Sequence, residues 1–129
     1  DMKFVPPLIL PAAAPPQPAG LTVRTGETWV FAVKNGEPAN ARKVDASASP
    51  ARGQIRVSVR ALLGTSMVVT NNSGTAYTFR AELLRGGRAM TARPCTLPAN
   101  GRPIFEQWEQ KADAVRIGAF KATDADGRC

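Results

Sequence analysis

Three carboxylates, Glu106, Glu109 and Asp113, stand three and four residues apart in PIFEQWEQKADAV, the spacing that lines side chains along one helix face. Carboxylates so placed could act as a general acid and base or hold a hard cation. No second cluster in the sequence converges on them, so they are read as a solvated face. TDADG, from Thr123 to Gly127, imitates the opening of a calcium loop, but the remaining positions and the closing glutamate do not follow. Asp124 to Gly127 is read instead as a turn that returns Cys129 toward Cys95. Histidine is absent, which removes Ser-His and Cys-His nucleophile pairs, the commonest general base and every His-containing metal site. Neither metal nor cofactor is expected, and catalysis is not the default reading.

The two cysteines, Cys95 and Cys129, cannot form a four-thiolate cage or a Cys-x-x-Cys redox pair. A disulfide between them would close a loop of about 35 residues and contribute about 3.8 kcal/mol by constraining the unfolded chain. The rival reading of Cys95 as a reactive nucleophile finds no base in RPCTLP beyond Arg93.

The third chemistry is charge. The formal net charge is +7, and most of the 17 basic residues are Arg, which binds phosphate and carboxylate bidentately. Arg56 and Arg60, four apart on an expected strand, would emerge on one face about 13 Å apart. Arg80 points outward from another strand and has Glu82 as local neutralisation. These three form a candidate anion site, set against the plainer reading of a solvated basic surface. No helix-turn-helix, zinc finger or RNA-binding aromatic motif accompanies them. Finally, Asn71-Asn72-Ser73 matches the N-glycosylation triplet, but with Gly74 it is also what a tight connection between strands needs.

The elements that must position these residues are mostly strands. MKFVPPLILPAAAPPQPAG opens like a signal peptide, yet Pro6, Pro7 and Pro11 break its apolar run. It is read as an edge strand from Lys3 to Leu10 and a polyproline-like connector from Pro11 to Gly20. ETWVFAVKNGEPANARKV alternates with Trp29, Phe31 and Val33 on one face, then offers Asn35-Gly36, the strongest short hairpin signal. QIRVSVRALLG places Ile55, Val57, Val59 and Ala61 inward. SMVVT turns Met67 and Val69 the same way, and AYTFRAELL does so with Tyr77, Phe79, Ala81 and Leu83. Gly86-Gly87 is a further turn before the short strand RAMTARPC, and AVRIGAF closes the set with Val115 and Ile117 inward. Residues 103–112 carry helical spacing through Ile104, Phe105, Trp108 and Ala112, with Pro103 to start the first turn.

Seven or eight short strands with at most one short helix near 103–112 predict an all-β fold, an antiparallel β-sandwich spanning 21–129. It resembles immunoglobulin-like domains in pattern alone, since the Cys…Trp…Cys spacing of antibody domains is missing; a small β-barrel is the alternative. An even cysteine count and a first residue that is not Met predict an exported protein, periplasmic or secreted, whose signal peptide has been removed. No 18-residue apolar run offers a transmembrane helix. The functional expectation is a non-catalytic envelope or secreted module for binding or assembly, with another envelope protein or an acidic polymer as partner. The alternatives are a polyanion binder acting through the arginine face, and an enzyme inhibitor or enzyme whose site lies in loop 46–53 or 97–103.

Overall fold

The computed structural model describes Lys3, residues 19–125 and Cys129. The strand expected from Lys3 to Leu10 and the connector after it fall almost wholly outside these residues, as does the second half of the closing turn at 124–127. Nine strands form among the described residues: β1 Leu21–Arg24, β2 Thr28–Lys34, β3 Glu37–Val44, β4 Gln54–Arg60, β5 Thr65–Asn72, β6 Tyr77–Arg85, β7 Arg88–Ala92, β8 Pro103–Trp108 and β9 Ala114–Ala122. They make two antiparallel sheets, ordered β1-β9-β6-β7 and β3-β2-β4-β5-β8, packed as a sandwich rather than closed into a barrel.

Alternation builds the space between the sheets. Ile55, Val57 and Val59 of β4, Met67 and Val69 of β5, and Val115 and Ile117 of β9 are essentially inaccessible, so each strand buries one face as its two-residue period requires. Phe31 is fully buried, while Trp29, Val33 and Tyr77 pack against the core from partly exposed positions. Ala61, expected inward, lies beyond the end of β4 and is exposed. Two tight hairpins follow their glycine signals: Asn35 and Gly36 have φ of 52° and 78°, and Gly86 and Gly87 have φ of 55° and 79°. Positive φ at both central positions gives the turn the twist that the flanking strands need.

Three features depart from simple alternation. First, residues 103–108 are a strand, not part of a helix: β8 pairs with β5 in the register Val69↔Ile104, Met67↔Glu106 and Thr65↔Trp108. The inward set is therefore Ile104, Glu106 and Trp108. A carboxylate in its middle hides the two-residue period, and the outward Phe105, 57% exposed, supplies a false helical contact. Second, β9 shifts register by one against β6 between Thr78 and Arg80. Ala119 takes φ of 53° there, and this bulge turns Phe120 inward where strict alternation from Val115 and Ile117 would turn it out. Phe120 then stacks on Phe79 at 5.2 Å between ring centroids, meets Phe31 at 5.6 Å and takes Tyr77 edge-on at 5.8 Å. The β2–β3 hairpin secures the bulge through backbone and side chain: Gly36 O accepts from Phe120 N at 2.7 Å, and Glu37 Oε1 accepts from Ala119 N at 3.1 Å.

Third, segment 45–53 crosses the outer face of the five-stranded sheet instead of projecting from it. It must travel from Val44, opposite Thr28, to Gln54, opposite Asn72. Arg56 holds it by donating from Nε to Ala48 O at 2.9 Å and from Nη2 to Ala46 O, and Asn72 Nδ2 donates to Pro50 O at 2.9 Å. Val30, on this outward face between Arg42 and Arg56, is left only 1% exposed.

Candidate functional site

The expected arginine face does not assemble. Arg56 and Arg60 share the outer face of the five-stranded sheet, but Arg80 lies on β6 in the other sheet, on the opposite outer surface of the sandwich. The guanidinium of Arg56 is committed to the carbonyls of segment 45–53. Arg80 Nε lies 3.8 Å from Glu82 Oε1. That carboxylate is already held bidentately by Arg116, whose Nε and Nη2 donate at 3.2 and 3.1 Å. Arg60 is exposed at the end of its strand.

The loops offered as binding sites are anchored to the sandwich by hydrogen bonds. In loop 97–103, Leu97 is fully buried and exchanges both backbone hydrogen bonds with Tyr77, while Asn100 N and Gly101 N donate to Ser73 O and Asn71 O. Asn71 is likewise inaccessible: its Nδ2 donates to Thr75 O and its Oδ1 accepts from Ser73 Oγ, both at 2.7 Å. The glycosylation triplet is thus a folded connection whose acceptor amide is spent. Cys95 and Cys129 are joined in a disulfide, as expected. The three carboxylates of 106–113 diverge: Glu106 Oε1 accepts from Cys95 N at 2.7 Å, Glu109 is exposed, and Asp113 Oδ2 accepts from Gly86 N at 3.0 Å. Among the described residues no group of three metal-ligating side chains converges.

A different set converges at one end of the sandwich. Between the β6–β7 hairpin and the β8–β9 connection lies a groove of about 550 Å³, lined by Leu83, Arg85, Arg88, Met90, Lys111 and their neighbours. The register Leu83↔Met90 and Arg85↔Arg88 places all four hairpin side chains on the inner side of their sheet, where a sandwich normally continues its core. Leu83 is buried, but Met90 is 43% exposed, and among the described residues no strand lies beyond β7 to cover it.

The loop carrying Lys111 is fixed from both sides. Thr65 Oγ1 donates to Gln110 O and accepts from Ala112 N, both at 2.8 Å, and Thr25 Oγ1 donates to Ala112 O at 3.1 Å. Asp113 N donates to Leu84 O at 2.8 Å, which ties the loop to β6. Gly64, with φ of 102°, permits the close approach: a Cβ there would stand 2.2 Å from Trp108 O. Nearby, Glu27 holds the β1–β2 turn, accepting from Arg24 N at 2.9 Å and from Trp29 Nε1 at 3.2 Å, with Lys43 Nζ at 3.6 Å. The Arg24 amide is the main cause that keeps its carboxyl below the usual glutamate range; burial opposes it, and the indole and Lys43 each add a smaller lowering effect.

The cations of this groove have no such partners. Arg85 and Arg88 face each other directly across the two-residue turn, a placement in which like charges repel. Among the described residues the side chains of Arg85, Arg88 and Lys111 make no ion pair or hydrogen bond. Asp113, which lines an adjoining depression with Arg85 and Lys111, accepts from the Gly86 amide. Sequence reading missed this site because its three cations come from two segments more than twenty residues apart; the one local signal was the pair of arginines flanking Gly86-Gly87.

No protein-family model, no curated protein and no solved structure matches the chain.

Proposed function

We propose that this chain is a non-catalytic, exported binding or assembly module that engages an anionic partner at the Arg85–Arg88–Lys111 end of the sandwich. The observation that carries the reading is the convergence of three unpaired cations on an apolar groove. A cross-strand Arg pair costs stability in the free protein, and an acidic ligand offsets that cost on binding. The support of the Lys111 loop by Thr65 and Thr25 means that little backbone ordering entropy is lost there on association. Export is supported by the Cys95–Cys129 disulfide, which persists in oxidising compartments. Among the described residues no helix is long and apolar enough to cross a membrane.

The test is retention on immobilised polyglutamate across a salt series. Wild type binds at low salt and is released as salt rises. Arg85→Ala/Arg88→Ala/Lys111→Ala loses most of that retention, whereas Arg56→Ala/Arg60→Ala/Arg80→Ala, measured while folded, keeps it. Equal retention of the first variant and wild type would move the anion site elsewhere or leave only diffuse charge.

A further inference from the structure

We infer that the anionic partner is an extended acidic segment of another polypeptide, which adds to the open edge of β7 and lays alternate side chains into the groove. The inference rests on the anion-binding reading above and adds the chemistry of the partner. Three observations carry it.

The first is the backbone. Among the described residues β7 pairs only with β6, in a register closed by a two-residue turn between Arg85 and Arg88. Residues flanking such a turn form the hydrogen-bonded pair, so Arg88, Met90 and Ala92 spend their amides and carbonyls on β6. Ala89 and Thr91 therefore turn theirs to the open side. Neither takes part in any backbone hydrogen bond made outside the strand ladders among the described residues. An added strand finds donors and acceptors at alternate positions there, the arrangement that strand addition uses.

The second is the inner face. Met90 points inward yet remains 43% exposed, so the layer beneath β7 is unfinished at its margin. A strand beyond β7 would cover Met90 with an apolar side chain and extend the sheet by one. The third is charge. Arg85, Arg88 and Lys111 ring the same groove, so carboxylates on the incoming strand meet cations without a partner among the described residues. Pairing with a second copy of this chain is disfavoured by its net charge of +7, and an edge-to-edge β7 pair would bring a second Arg88 toward this cluster. An anionic lipid would satisfy the cations but would leave the alternating amides of β7 unused.

The probe is a capped heptapeptide Thr-Glu-Thr-Val-Thr-Glu-Thr, whose Glu, Val and Glu side chains share one strand face, with two twins N-methylated either at its Thr residues or at its Glu and Val residues. N-methylation removes amide donors from one edge of a strand and leaves charge unchanged. The expected result is that the parent peptide binds and one twin binds about tenfold more weakly, from the loss of about two backbone hydrogen bonds, while the other keeps its affinity. Thr91→Pro, which removes an outward amide from β7, should weaken the parent peptide similarly at unchanged circular dichroism; the twins test the same point on the unaltered protein. If both twins bind like the parent, strand addition is overturned and attraction by charge remains. If the peptide fails while polyglutamate or vesicles of anionic phospholipid bind, the extended-segment assignment is overturned and the anion-binding reading stands. If peptide, polyglutamate and vesicles all fail to bind, both are overturned.

Discussion

At the end of the sandwich that carries Asn71, polar side chains answer backbone groups. Asn71 and Ser73 close the β5–β6 connection, Asn100 and Gly101 donate back to Ser73 and Asn71, and Thr123 N donates to Ala76 O at 3.0 Å. At the opposite end the backbone is held as firmly, by Thr25, Thr65, Glu27 and Asp113, but the long side chains above it point cations into a groove with nothing to meet them among the described residues. One end is closed by hydrogen bonds between its own side chains and backbone, whereas the other is held as firmly and gathers three cations, unpaired among the described residues, around one groove. Fixed backbone beneath unsatisfied charge is what a binding surface needs, since order is already present before the partner arrives.

The sharpest way to break this comparison is to open the finished side. Reducing the disulfide, or Cys129→Ser, should cost about 4 kcal/mol in urea unfolding, given the 34-residue separation it closes. Binding to polyglutamate by the still-folded fraction should not change. A cost below about 1 kcal/mol would show that the core alone fixes the chain near Cys95.

Next is Asn71→Ala, which removes two part-buried hydrogen bonds and leaves Ser73 Oγ, at 3.2 Å, as the donor to Thr75 O. The expected loss is about 2–3 kcal/mol, again without effect on anion binding. Stability within about 0.5 kcal/mol of wild type would mean that the Asn71 end is not held by its side chains.

Arg88→Ala tests the other end and should act in the opposite sense. Relieving the pair with Arg85 should raise stability by about 0.5 kcal/mol at low salt, a gain that screening removes at high salt, while retention on polyglutamate falls. Destabilisation by this substitution would show that Arg88 is structural and that the end is not a site with spare charge.

The smallest effect concerns acid. Because the folded-state carboxyl of Glu27 is held below its usual 4.5, its contribution to stability is complete above that value and is lost as pH falls through the lower, folded value. Glu27→Gln should therefore lower stability at neutral pH and lose less of it on acidification than wild type. A parallel pH profile for the two proteins would remove Glu27 as the holder of the β1–β2 turn.

Much of the fold was legible because its signals are local. The alternation through Ile55, Val57 and Val59, the hairpins at Asn35-Gly36 and Gly86-Gly87, and the pairing of the only two cysteines each follow from period, turn chemistry or count. What the amino-acid order alone could not decide is where partners from distant segments intervene. Glu106 sits inward in β8 because the Cys95 amide satisfies it, so a strand looked helical. Phe120 enters the core because a bulge opposite β6 reverses its side. Arg56 and Arg80 part company because strand order puts them in different sheets, and the same order gathers Arg85, Arg88 and Lys111 around one groove. The period of a strand says which side chains share a face, but only the packing of one strand against another says which faces meet, and charge acts through the distances that packing creates.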